Sequence, residues 1–253
     1  MKKIGKDITI GSWVTLAHPG IAEIMANAGF DWLAVDLEHS VITIREAEEL
    51  IRVISLAGVR PLVRLTSNNV DLIKRVMDAG SDGIIVPNVN SSEDAERCLS
   101  ATKYPPDGLR GVGLARAQGY GEKFDEYLNW QKNESTVIVQ IENIKAVENI
   151  ESIFQVEGID GFILGPYDLS ASMGIPGEFS HPDFLKTVDH INNMAGKFEM
   201  PSGIHIIEPN VEEIEIRIKQ NFNIIAYSLD IRMLSSSSIK GVEKFEKFIR
   251  GSQ

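Results

Sequence analysis

The chain has 253 residues, 43% of them hydrophobic, and a formal net charge of −11. That balance argues against nucleic acid or an anionic membrane as a partner held by bulk electrostatics. It leaves room for a local basic patch that takes an anionic substrate.

The length suits one large α/β domain, residues 1–253, with a substantial core. Cys98 is the only cysteine, so no internal disulfide and no cysteine-rich metal site can form. A reducing, cytoplasmic setting is the expectation. The N-terminal stretch MKKIGKDITIGSW has lysines but no long apolar run behind them, so neither a signal peptide nor a membrane span is expected.

Short apolar runs read as strands at 8–16, 32–36, 60–65, 83–87, 137–142, 161–164, 202–206 and 224–229. Amphipathic stretches lie between them, among them IREAEELIRVISLAG, VDLIKRVMDAG, SSEDAERCLSA and VEEIEIRIKQN. Several end in Gly or Asn, the usual helix stop. Eight strands alternating with helices over about 250 residues predict a (β/α)₈ TIM barrel. A doubly wound open sheet is the alternative. The longest irregular segment, YPPDGLRGVGLARAQGYG, has the length of a functional loop. Its Arg110 and Arg116 are candidates to gate a site or meet another subunit. The final amphipathic piece, IKGVEKFEKFI, is expected to pack on the barrel or on a neighbouring subunit.

In both architectures the site forms at the carboxyl ends of the strands. Those ends carry Trp13, Asp36 with His39, Arg64, Gln140 with Glu142, Asp168 and His205. Strand alternation puts Gln140 and Glu142 on one face of VIVQIE and the branched residues on the other. The branched face suits outer helices, so Gln140 and Glu142 look into the mouth. A carboxylate there is costly unless paired or bound to a cation. Taken alone, Asp168 in GPYDLS reads equally well as a helix N-cap. Beside Glu142 it points to a hard-cation site completed by water and substrate oxygens, of the kind that holds Mg²⁺ or Mn²⁺. His18, His181 and His190 carry no functional signal.

The motifs FDWLAVDLEHS, RPLVRLTSNN, MDAGSDGIIVPNV, YPPDGLRGVGLARAQGYG, VQIEN with AVENI, and VEGIDGFILGPYDLSASMG run in this order over about residues 8 to 235. The chain thereby resembles the HpcH/HpaI aldolase/citrate lyase family, the metal-dependent class II pyruvate aldolases. The resemblance implies a (β/α)₈ barrel, a homo-oligomer (often a hexamer) and a C-terminal helix exchanged between partners. It implies Glu142 and Asp168 as ligands of a divalent metal, Mg²⁺ or Mn²⁺ with Co²⁺ as a further option. The metal would chelate a 2-oxo acid, usually pyruvate. Gln140 and the backbone amides of Tyr167 and Asp168 would bind the acid. His39 would be the general base, Asp36 and Asp78 would orient it, and Arg64 would stabilise the developing oxyanion. Trp13 would line the mouth. Glu38 belongs to the motif without an assigned step.

The sequence departs from the family at three places. Tyr167 replaces a small residue before the metal aspartate. His205 stands where relatives carry an apolar residue facing the aldehyde. YSLD, with Ser228 and Leu229, replaces VGVD on the last strand. These positions concern the aldehyde pocket, so the expected substrates are a small 2-oxo acid and an aldehyde that prefers polar surroundings. The expected reaction is reversible cleavage of a 4-hydroxy-2-oxo acid. A decarboxylase of oxaloacetate-like acids and a catalytically silent binding barrel are the other readings.

Overall fold

Eight parallel strands close on themselves in chain order: β1 (Thr9–Val14), β2 (Trp32–Asp36), β3 (Arg60–Arg64), β4 (Gly83–Val86), β5 (Thr136–Ile141), β6 (Gly161–Leu164), β7 (Ser202–Ile206) and β8 (Ile224–Leu229). The computed structural model describes residues 4–251. Because β1 pairs with both β2 and β8, the sheet has no edge, and the open-sheet alternative is ruled out. All eight expected strands form. β5 ends at Ile141, so Glu142 is the first residue of the loop that follows it.

Local chemistry sets the helices between them. Thr43 and Glu46 form a reciprocal capping box at the start of the helix Ile44–Leu56. Asn69, Ser91 and Asn210 accept first-turn amides of the helices Val70–Asp78, Ser92–Thr102 and Val211–Lys219. His18 and His181 do the same through Nδ1, so both have a structural task.

Alternation along the strands divides the core in two. Outward-facing Leu33, Val35, Val63, Ile84, Val137, Val139 and Phe162 pack under the helices. Inward-facing Trp13, Trp32, Ala34, Leu62, Ile85, Ile138, Ile163, Ile224 and Ala226 fill the barrel. Burying each large aliphatic or aromatic side chain contributes about 1.5–3 kcal/mol. Trp32 reaches across the interior only because Gly11 has no side chain: a Cβ there would stand 2.0 Å from the indole. The plug of apolar side chains closes the lower barrel and leaves the polar strand ends at the top.

The last helix, Asp230–Gly251, leaves the end of β8 and does not pack back on the barrel over its second half. Leu234, Val242 and Phe245 are exposed on it. Of the two expected positions for IKGVEKFEKFI, packing on its own barrel is therefore not the one observed. Among the described residues no helix is long and apolar enough to cross a membrane.

Candidate active site

Asp36 and Arg64 are the last residues of β2 and β3, and they are register partners, so both side chains turn into the mouth. Arg64 donates through Nε to Asp36 Oδ1 at 2.9 Å and through Nη2 to Oδ2 at 2.5 Å. This fork-on-fork pair is nearly dry, with Asp36 1% exposed. The Arg64 guanidinium also lies 4.3 Å above the Trp13 ring. Asp36 Oδ1 accepts the backbone N–H groups of Glu38 and His39 at 3.0 and 3.3 Å, and so fixes the turn of the DLEH segment.

This arrangement revises the part expected of Asp36. It holds the main chain of His39 and not its imidazole. The His39 ring is 63% exposed, and its nearest carboxylate is Glu38, with Oε2 3.8 Å from Nε2. Asp78 does not line the cleft at all. It closes the helix Val70–Asp78, half-buried, and burial raises its proton affinity while Arg110 and Lys74 lower it.

Glu142, 4% exposed, is gripped from two sides. Its Oε1 accepts the backbone N–H of Asn88 at 2.7 Å and its Oε2 accepts Gln140 Nε2 at 2.6 Å. Burial pushes its carboxyl up to about 7; the Asn88 hydrogen bond opposes the shift, and the charges of Glu38 and Asp168 add to it. Glu38 is likewise pushed up to about 7, chiefly by burial, with Arg64 opposing and Asp36 and Asp168 adding. Arg64 Nε lies 3.5 Å from Glu38 Oε2. Asp36, Glu38, Glu142 and Asp168 thus lie within electrostatic reach of one another, and the Arg64 guanidinium beside them is committed to Asp36.

A cleft of about 340 Å³ is lined by Trp13, Asp36, His39, Arg64, Gln140, Tyr167, Asp168, His205 and Leu229 among others; Glu38 and Glu142 are not part of its wall, and Glu142 reaches it through Gln140. Asp168 is in the first turn of the short helix Pro166–Ser172. The Tyr167 ring packs edge-on to Phe179 at 4.8 Å. His205 packs edge-on to Trp13 at 5.5 Å. Arg232, paired with Glu208 at 2.6 Å, also borders the cleft and was not foreseen. Arg110 and Arg116 do not border it. Arg110 is buried against Tyr104 and Tyr127, and Arg116 donates to the Ala79 carbonyl at 2.9 Å.

The cleft wall carries the oxygens of Asp36, Gln140 and Asp168 and the imidazoles of His39 and His205. Besides Glu142 and Asp168, Gln140 Oε1 is buried without a hydrogen-bond partner, as is Glu38 Oε2. An oxygen set with surplus negative charge fits a hard divalent cation. Among the described residues no three His, Cys, Asp or Glu side chains converge closely enough to enclose an ion by themselves. An ion held by Glu142 and Asp168 would therefore be completed by oxygens from substrate and water. Asn88 is a contact of the site that the sequence does not signal, and Glu38, a motif residue without an assigned step, lies beside Arg64 and His39. Asn88 follows β4, the strand end from which no candidate was drawn, and its φ of +54° belongs to the region that favours Asn.

Fold and site together define a barrel enzyme that works on small polar molecules at an oxygen-rich mouth. The chain is 35% identical over 243 residues to the 5-keto-4-deoxy-D-glucarate aldolase of Escherichia coli O157:H7, covering 96% of this chain and 94% of that protein. The solved HpcH/HpaI aldolase of Desulfitobacterium hafniense DCB-2 is 31% identical, with a TM-score of 0.87 over 96% of this chain and 94% of that one. An HpcH/HpaI aldolase/citrate lyase family protein from Burkholderia cenocepacia J2315 is 29% identical, with a TM-score of 0.89 over 95% of each chain. The HpcH/HpaI aldolase/citrate lyase family model matches residues 9–236, and the chain belongs to that family. It is a carbon–carbon lyase of the aldolase type.

Proposed function

We propose that the chain is a divalent-metal-dependent aldolase that reversibly cleaves a 4-hydroxy-2-oxo acid, of the 2-dehydro-3-deoxy sugar acid or 4-hydroxy-2-oxo-heptanedioate type, to pyruvate and an aldehyde. The observation that carries this reading is the buried Glu142 carboxylate, crowded by Glu38 and Asp168 and pushed up to about 7. Such a group takes up either a proton or a cation, and a bound cation keeps it ionised. Glu142 and Asp168 would hold Mg²⁺ or Mn²⁺, with Co²⁺ as a further option. When bound, the ion supplies Lewis-acid polarisation of the keto group.

The chain's own residues do the rest. Gln140, its amide nitrogen held by Glu142, is left with Oε1, an acceptor that can take a hydrogen bond from a substrate hydroxyl. Asp168 and Tyr167 present first-turn amides without a side-chain cap to its carboxylate. Arg64, immobilised through Nε and Nη2, keeps Nη1 for the keto oxygen on which negative charge develops. His39 at the rim takes the proton from the C4 hydroxyl. The C3–C4 bond then breaks, its electron pair moves toward the C2 carbonyl as the aldehyde leaves, and the imidazolium gives its proton to C3 to complete the methyl group of pyruvate. In the reverse direction the same imidazole removes a methyl proton from pyruvate and later returns one to the new alkoxide. Glu38, 3.8 Å from the ring, is the carboxylate placed to stabilise the imidazolium between these events.

The exposed Leu234, Val242 and Phe245 support a homo-oligomer in which the helix Asp230–Gly251 is exchanged with a partner, in the manner of a trimer of dimers.

The test is deuterium exchange at the pyruvate methyl, which needs no aldehyde. Exchange should require a divalent cation and should vanish in Glu142→Gln and Asp168→Asn. Undiminished exchange in either variant, or after chelation, would sink the metal assignment. No exchange in the metal-loaded wild type would sink the aldolase mechanism.

A further inference from the structure

The two strand ends that depart from the family turn out to be one unit. On β8, Ala226 is paired with Gly11 of β1 but Leu229 is paired with Trp13, so one extra residue is accommodated. Ser228 absorbs it with φ of +51°, a backbone region that L side chains rarely adopt. Ser228 is fully buried, and its hydroxyl donates to the Ile207 carbonyl just beyond β7 at 3.0 Å. The Asp230 carboxylate secures the next corner by accepting Thr15 N and Leu16 N, both at 2.8 Å. The Ser228 carbonyl accepts Ser12 Oγ at 3.2 Å and faces His205 Nε2 at 3.3 Å.

A carbonyl only accepts, so Nε2 carries the ring proton. Burial, with the Arg64 guanidinium adding, pushes the imidazole down to about 4, so it is neutral at neutral pH. Its second nitrogen, Nδ1, then bears a lone pair and makes no hydrogen bond among the described residues. The neighbouring wall of the cleft carries Trp13, Ile163, Ile207 and Leu229, with Thr15 and Arg232 also in the lining; Arg232 is held by Glu208. His205 therefore brings an acceptor, fixed in tautomer by the Ser228 carbonyl, to a largely apolar stretch of the cleft.

We propose that His205 is a specificity-determining residue for the aldehyde: Nδ1 accepts a hydrogen bond from an aldehyde hydroxyl and disfavours a carboxylate in the same place. The inference rests on the aldolase reading and adds the substrate class to it. A hydroxyl can donate to the lone pair, a methyl group leaves it unpaired, and a carboxylate sets one acceptor against another.

The experiment uses the metal-loaded enzyme with pyruvate and three small aldehydes: glycolaldehyde, propionaldehyde and glyoxylate. Wild type should favour glycolaldehyde in kcat/KM over the other two. His205→Leu should lower the glycolaldehyde-to-propionaldehyde ratio roughly ten- to hundredfold. His205→Gln should keep most of the ratio, because an amide can donate to the Ser228 carbonyl and still accept from substrate. If the leucine variant fails to fold, the glutamine variant carries the test, and a ratio lost there overturns the proposal. An unchanged ratio in His205→Leu, or wild type favouring glyoxylate, overturns it as well. Deuterium exchange into pyruvate, measured on the wild type, separates the two levels. Exchange together with an unchanged ratio removes only this inference, whereas no exchange removes the aldolase reading beneath it.

Discussion

Replacing Arg64 by methionine tests how the mouth is held together. The substitution keeps much of the side-chain volume and removes both charge-assisted hydrogen bonds to Asp36, at 2.9 and 2.5 Å. It leaves a carboxylate that is 1% exposed with only the backbone N–H groups of Glu38 and His39 as donors. Removing one partner of a buried ion pair typically costs about 3–5 kcal/mol. The two retained amide donors place this case at the lower end, about 3 kcal/mol. In a chain of this size that lowers Tm by about 6–12 °C. The double variant Asp36→Asn/Arg64→Met removes the stranded charge and should recover about 1–2 kcal/mol of the loss. The assay is urea unfolding at one fixed protein concentration, since oligomer stability depends on concentration. A loss below about 1 kcal/mol, or a double variant no more stable than the single one, would show that Asp36 does not depend on Arg64 for its charge.

In the metal-free protein, Glu142→Gln should be stabilising by about 1–3 kcal/mol at pH 8 and nearly neutral at pH 4.5. The sign follows from a folded-state carboxyl raised to about 7 from 4.5: between those values the folded state binds the extra proton, so wild type loses stability as pH rises. Parallel pH profiles of unfolding for the two proteins would contradict this. The Cys98 thiol is fully buried and pushed up to about 12, so it should ignore an aromatic disulfide reagent in the native protein and release one equivalent in denaturant. A full equivalent released within minutes under native conditions would show that the helix Ser92–Thr102 opens readily.

The barrel was legible because its signals are local. Branched runs such as VIVQI, helix caps such as Thr43, and stops such as Gly58 and Gly80 each act within a few residues. The residue types of the site were legible for a related reason: a strand that ends in Asp, Arg or Glu announces a polar mouth. Pairing was less so. Asp36 is next to His39 in sequence, and a bond to its imidazole was the natural expectation. Strand register instead places Asp36 beside Arg64, and the bidentate pair uses both carboxylate oxygens. Asn88 escaped notice because it acts through its backbone N–H, a donor that every residue except proline possesses. Glu38 was visible as a letter, but the direction of its side chain depends on the turn that Asp36 builds.

The same limit explains why His205 and Ser228 looked like two separate departures. They are 23 positions apart, and each breaks a local rule by itself: a polar ring on an apolar wall, and a β-carbon where φ is positive. Register brings them together, since His205 is paired with Ala226 and the bulge starts just beyond it. The ring then gives the Ser228 carbonyl a second donor beside Ser12 Oγ, and the carbonyl gives the ring its tautomer. A histidine placed there without the bulge would keep both nitrogens free to accept or donate and would read substrate hydroxyls and carboxylates alike. The selectivity expected of His205 thus arises in the backbone of β8, and no inspection of β7 alone could have found it.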